Sequence, residues 1–161
     1  MTMTKTAKQS RSTKIELRNA AAKSSSSAYL QSLGVEVGGT IDVIAKIQAG
    51  FPYKVLEGFG KSTSLPIAEI ARLVSIPQRT LTRRKQAGRL HPDESERLFR
   101  VARVIEKAVQ LFEGDREAAM RWFQTPQPAL DGRKPIEFAR TEVGGREVED
   151  LIGRLEHGVF T

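Results

Sequence analysis

Apolar side chains recur along this chain at three- and four-residue intervals, the spacing of one helix face. No stretch of useful length alternates with the period of two that marks a half-buried strand. The pattern begins after Gly38-Gly39. Ile41, Val43, Ile44 and Ile47 predict a helix capped by Thr40 and ended by Gly50. Phe51-Pro52 opens a second helix, proline being tolerated in a first turn, with Val55, Leu56 and Phe59 inward and Gly60 weakening its end. Ser64 is the next expected cap, ahead of Pro66 and the stripe Ile67, Ile70, Ala71 and Val74. Ser75-Ile76-Pro77 interrupts that stripe, because a residue before proline is disfavoured in the helical region. Ser75 is then expected to cap a helix over Gln78 to Ala87 that Gly88 closes.

Beyond the His91-Pro92-Asp93 boundary a long helix is predicted to about Phe112. Leu98, Val101, Ala102, Ile105, Ala108, Val109 and Phe112 form its apolar stripe, with Arg97, Arg100, Arg103, Glu106 and Lys107 around it. Asp115 caps a helix carrying Ala118, Ala119, Trp122 and Phe123. Pro126 to Leu130 reads as an ordered turn and Pro135 to Ala139 as one helical turn. Gly144-Gly145 is expected to break the chain before a final amphipathic helix of Val148, Leu151, Ile152 and Leu155, which stops at Gly158. The expected class is all-α, with no repeat of 20–50 residues. Residues 1–33 differ, being rich in Ser, Thr, Lys and Ala. They predict a loosely ordered basic arm, with room for a short helix over Ile15 to Ala22. Three units follow: an arm over 1–38, a DNA-binding unit over 39–90 and a second helical unit over 91–161.

Length and composition narrow the function. The 161 residues hold one or two small domains. There is no cysteine, so disulfides and thiolate metal sites are excluded and a reducing, cytoplasmic location is expected. No run approaches the roughly 18 apolar residues of a membrane helix, and no apolar stretch of the secretory type follows the basic start. His91 and His157 both sit beside helix breakers rather than at metal-ligand spacing. The acids form no pair within an apolar run, and no phosphate loop or nucleophile motif occurs. No enzyme, metal or cofactor is expected.

The net charge of +7 is unevenly placed. Residues 1–33 carry six basic side chains against Glu16, and residues 65–91 carry six against Glu69. Residues 92–161 are net acidic, with eleven basic against fourteen acidic. Clustered cations favour a polyanion through counterion release. The two helices around Ser75-Ile76-Pro77 have the layout of a helix-turn-helix, a supporting helix followed by a recognition helix for the major groove. Gln78, Arg79, Thr82, Arg83 and Lys85 would face solvent while Leu81 anchors inward. Arginine can bind guanine bidentately and glutamine adenine. Arg84 and Arg89 suit phosphates, and Ser75 and Thr80 suit positioning contacts on the DNA backbone. A unit this small is expected to bind a palindrome as a homodimer, with the long helix as the best candidate for dimer contacts, its stripe being wide enough to serve either an internal core or a partner helix. The same Arg-rich face would equally serve as the solvated side of an ordinary helical hairpin.

The C-terminal half carries a specific order of motifs. Leu98-Phe99-Arg100-Val101-Ala102-Arg103-Val104 leads to the helix at 115–124. Then come Thr125-Pro126 with Pro128-Ala129-Leu130, Gly132-Arg133-Lys134-Pro135, Thr141-Glu142 with Gly144, Val148 with Leu151-Ile152, and Gly158-Val159-Phe160. Together these resemble the C-terminal toxin-binding domain of the Xre/MbcA/ParS antitoxins over residues 90–161, with an Xre-like helix-turn-helix in front. The acidic cluster Glu147, Glu149 and Asp150 is not explained by that likeness. The resemblance implies the antitoxin of a bacterial two-gene module. Its partner would be a RES-domain toxin that depletes NAD, and its N-terminal domain would repress the shared promoter on double-stranded operator DNA. It carries the toxin contact to Arg154, His157, Gly158, Val159, Phe160 and Thr161. An aromatic side chain beyond the last helix suits a plug for a concave site.

Two other readings are open at this point. One is a stand-alone regulator whose C-terminal domain only dimerises. The other is a small RNA-binding protein, which the lack of aromatic residues in the basic segment disfavours.

Overall fold

The computed structural model describes residues 33–158. Eight α-helices follow in chain order: α1 (Thr40–Ala49), α2 (Tyr53–Thr63), α3 (Ile67–Leu73), α4 (Gln78–Ala87), α5 (Pro92–Leu111), α6 (Arg116–Phe123), α7 (Pro135–Phe138) and α8 (Glu142–Glu156). A 3-10 turn over Pro128–Leu130 separates α6 from α7. Among the described residues there is no strand. Two isolated antiparallel bridges, Pro52 with Arg89 and Gln127 with Arg133, pin loops together. The expected all-α class is the observed one. The arm residues 1–32, with the expected Ile15–Ala22 helix, lie outside the described residues.

Helix α5 is the axis of the molecule. It packs against α8, α6 and α1, and Leu98, Val101, Ala102, Val104, Ile105, Ala108 and Val109 are all buried along it. The same cluster of buried side chains continues through Ile70, Val74 and Leu81 of the helix-turn-helix to Phe123, Val148 and Ile152. The apolar stripe of the long helix is thus spent on this chain's own core, one of the two uses open to it from the sequence. Among the described residues, the large apolar side chains that stay exposed are Ile41, Ile44 and Val143. Phe123 is fully buried, whereas Trp122 is only partly covered and meets Phe112 in a tilted pair with ring centroids 6.3 Å apart.

Several expected caps are displaced, each for a local reason. Thr40 is already helical; Gly39 precedes α1 without a side-chain cap, and the Asp42 carboxylate instead accepts the Gly38 N–H at 3.1 Å. Ser64 ends α2 in the left-handed region rather than starting α3. Gly60 lies in the last turns of α2, which runs on to Thr63. A Cβ there would lie 3.1–3.2 Å from the Ile67 and Ile70 methyls and the Leu65 carbonyl, so its bareness lets α3 approach. Gly144-Gly145 is no break either: both residues are buried in the first turn of α8, which Thr141 caps by accepting the Gly144 N–H at 3.0 Å. Asp115 caps α6 as expected, accepting the Ala118 N–H at 2.9 Å.

Candidate nucleic-acid interface and partner-binding end

The turn between α3 and α4 is built by α3's own ending. The Ile76 N–H donates to the Ala71 carbonyl at 2.7 Å and the Ser75 N–H to Arg72 at 3.2 Å. This is the paired closure that places one residue in the left-handed region, here Ser75 at φ 54°. Ser75 therefore terminates α3 instead of capping α4, whose first residue follows Pro77. Val74 and Ile76 are buried on either side of the turn and Leu81 anchors α4 on the core. With that face fixed, Gln78, Arg79, Thr82, Arg83 and Lys85 are exposed together, and Thr80 is half-buried. The Thr82 hydroxyl donates back to the Gln78 carbonyl at 3.3 Å. A short helix with one apolar anchor and an exposed Gln/Arg/Thr face has the shape and donors to enter a major groove.

Two of the expected phosphate ligands are otherwise engaged. The Arg84 Nε donates to both carboxylate oxygens of Glu94, at 3.0 and 2.8 Å. Glu94 is buried and also accepts the His91 N–H at 2.7 Å. The hydrogen bond that Arg84 donates to Glu94 raises the Arg84 pKa above its ordinary value, against burial, with the carboxylate charge adding to it. Arg89 is exposed, but its Nη1 donates to the carbonyls of Ala49 and Gly50 at 3.0 and 2.7 Å, tying the end of α4 to the end of α1. From α5, Arg97 Nε donates to the Val74 carbonyl at 2.6 Å while its Nη1 meets Asp93 at 2.9 Å. Two arginines running in opposite directions thus clamp the helix-turn-helix onto the N-terminal end of α5. The sequence signal for Glu94 was its place three residues after the boundary residue His91, where an acid reaches back to an open N–H.

At the other end, α8 lies along α5 through charge as well as apolar contact. Glu149 accepts from Arg103 at 2.7 Å and Lys107 at 2.8 Å, and Glu142 pairs with Arg100 at 2.6 Å and Arg146 at 3.0 Å. The hydrogen bond from Arg146 lowers the Glu142 pKa from the ordinary carboxylate value. Burial opposes it, and the charges of Arg100 and Arg103 reinforce it. Two of the unexplained acids now have roles: Glu149 holds α8 to α5, and Glu147 sits 3.7 Å from Arg154. Asp150 is exposed. Of the expected toxin contacts, Arg154 is half-buried, His157 and Gly158 are exposed, and Gly158 turns the chain at φ 65°. Val159, Phe160 and Thr161 lie outside the described residues. Among the described residues no group of acids and histidines has metal-binding proximity, and no helix is long and apolar enough to cross a membrane.

Two family models match this architecture. Residues 42–103 match the antitoxin Xre-like helix-turn-helix domain, and residues 107–158 match the antitoxin Xre/MbcA/ParS C-terminal toxin-binding domain. The first match runs past the turn and recognition helix into α5, to which the two arginines clamp them. An "Antitoxin Xre" from Yersinia enterocolitica is 47% identical over 124 residues, 76% of this chain and 83% of the relative. Another from Photorhabdus laumondii is 33% identical over 73% of this chain and 80% of its own length. A third from Pseudomonas putida is 30% identical over 65% of this chain and 70% of its own. With the recognition-helix face at one end of α5 and the toxin-binding fold at the other, the chain belongs to the Xre antitoxin family, a family of antitoxins rather than enzymes.

Proposed function

We propose that this protein is the antitoxin of a type II toxin–antitoxin module that represses its own promoter and neutralises a RES-domain, NAD-depleting toxin by covering its active site. The observation that carries the first half is the fixed face of α4, where Gln78, Arg79, Thr82, Arg83 and Lys85 stand free while Leu81 is buried. Ser75, Thr80 and Arg89 flank that face, and Arg84 serves it by holding α4 on Glu94. The second half rests on the likeness of residues 107–158 to a toxin-binding domain. The proposed contact is Arg154, His157 and Gly158 with the tail Val159, Phe160 and Thr161. A homodimer on a palindromic operator, larger once toxin joins, suits a DNA-binding unit of this size. The proposed setting is the bacterial cytoplasm, where both operator and NAD are found.

The test separates the two ends. The protein is co-expressed with the toxin encoded beside its gene, alongside a promoter reporter. The full chain is expected to rescue growth and silence the reporter. Truncation after His157 should abolish rescue and keep repression; Arg79→Ala with Arg83→Ala should do the reverse. If the truncated chain still rescues, the plug assignment is wrong. If the full chain neither rescues nor captures the toxin but binds the promoter, the protein is a stand-alone regulator.

A further inference from the structure

Ion pairing divides the cations of this molecule into two groups. Every Lys and Arg from Arg97 to Arg121, and both on α8, has a carboxylate within 4.0 Å. Those without one, among the described residues, are the cations from α2 to Arg89, with Arg84 excepted, and then Arg133, Lys134 and Arg140. Unpaired cations thus occupy the DNA-reading part and reappear in one segment of the C-terminal half. That segment includes the Gly132-Arg133-Lys134-Pro135 motif.

Tertiary structure brings the two together. Arg72 of α3 and Lys134 and Arg140, which bracket α7, line one hollow of 210 Å³ over Leu73 and Ile136. Arg72 is exposed on α3, and one turn later the chain enters the α3–α4 turn. In helix-turn-helix docking this first helix crosses the phosphate backbone while the second enters the groove. The opposite wall is held firm. The Gln127 N–H donates to the Arg133 carbonyl at 3.0 Å. Asp131 and Gly132 turn at φ 53° and 71°. The Arg133 guanidinium lies 4.9 Å from the centre of the Phe138 ring. Stacking occupies Arg133 and leaves Lys134 and Arg140 exposed. Glu69 and Glu137 share the hollow, have no cation within ion-pair distance among the described residues, and would oppose a phosphate.

We infer that the duplex footprint extends onto the C-terminal half, with Lys134 and Arg140 joining Arg72 on backbone phosphates beside the groove read by α4. The inference rests on the DNA-binding reading above and predicts that the toxin-binding half takes part in operator affinity without reading sequence. Backbone contacts carry affinity and salt dependence, whereas base contacts carry specificity.

The experiment is a salt titration of binding to operator duplex and to random duplex, with the full chain and its Lys134→Gln/Arg140→Gln variant. Two lost phosphate contacts should flatten the slope of log K against log salt by about 1.8 and weaken both duplexes alike. Glu137→Gln should tighten both, a gain that mere damage to the fold would not produce. Unchanged slopes in the double variant and unchanged affinity in Glu137→Gln would overturn the inference while wild-type binding stands. A double variant that loses toxin capture instead would assign the cluster to the partner protein and overturn it equally. If the wild-type chain binds no duplex at all, the DNA-binding reading itself fails.

Discussion

Single residues decide how closely this small fold can pack, and Gly144 is the clearest case. A Cβ built there would lie 2.2 Å from the Phe138 carbonyl oxygen and 2.9 Å from its carbon. Its N–H is also the one that Thr141 accepts. The first turn of α8 must therefore slide if the residue grows, and the slide would strain the α5–α8 contact next to Val104 and Arg100. Gly144→Ala is expected to destabilise by about 3 kcal/mol, the upper range for forced overpacking, measured by urea unfolding. A loss under about 0.5 kcal/mol, typical of a tolerant surface site, would show that α7 yields freely. Read in sequence, Gly144-Gly145 looked like a break between elements. The helix in fact starts ahead of the glycines, at Glu142 behind the Thr141 cap, and the close carbonyl was not legible either, since Phe138 meets Gly144 only after α7 folds back.

Among elements, the decisive arrangement is the clamp between α4 and α5. The α3–α4 turn was legible as a turn, because Pro77 bars a helical Ile76. The use of Ser75 was not, since a serine before a proline-led helix reads as a cap, and only α3's closing hydrogen bonds assign it to the helix behind. Arg84 likewise read as a phosphate contact. Side-chain geometry turns it back onto Glu94, where its side chain is 19% exposed and that of Glu94 6%. Removing the carboxylate's charge leaves a partly buried guanidinium with a weaker acceptor and loosens the tie at His91. Glu94→Gln is expected to cost about 2 kcal/mol, the scale of a hydrogen bond to a charged group. It should also weaken operator binding without touching any DNA-facing residue. Full stability with weakened binding, or the converse, would separate the clamp's energetic role from its positioning role.

For the whole molecule, α5 carries a two-ended design in which charged pairs set how α8 lies along it. Glu142 bridges Arg100 of α5 and Arg146 of α8. Its folded-state pKa is lowered, so its contribution is fully present above the ordinary value of 4.5 and is lost as pH falls through the lower folded value. The melting temperature of the wild type should therefore exceed that of Glu142→Gln near neutrality. The gap should shrink as pH falls below the ordinary value of 4.5 and close once it has passed through the lower folded value, as followed by circular dichroism. A gap that persists undiminished at low pH would show that Glu142 acts by packing rather than by charge. Among the described residues, the sequence by itself determined the number of helices, most of their spans and the exposed face of α4, because three-and-four periodicity and proline or glycine punctuation are local. It also carried the family likeness, in the order of its C-terminal motifs. Only the tertiary structure decided which caps are used, that α5's stripe closes this chain's own core, that Arg84 turns back onto Glu94, and that Arg89 is tied to the carbonyls at the end of α1. It also decided that Lys134 and Arg140 stand beside Arg72. Each of these joins residues brought together by packing, where burial and hydrogen-bond satisfaction override what a residue type prefers in isolation.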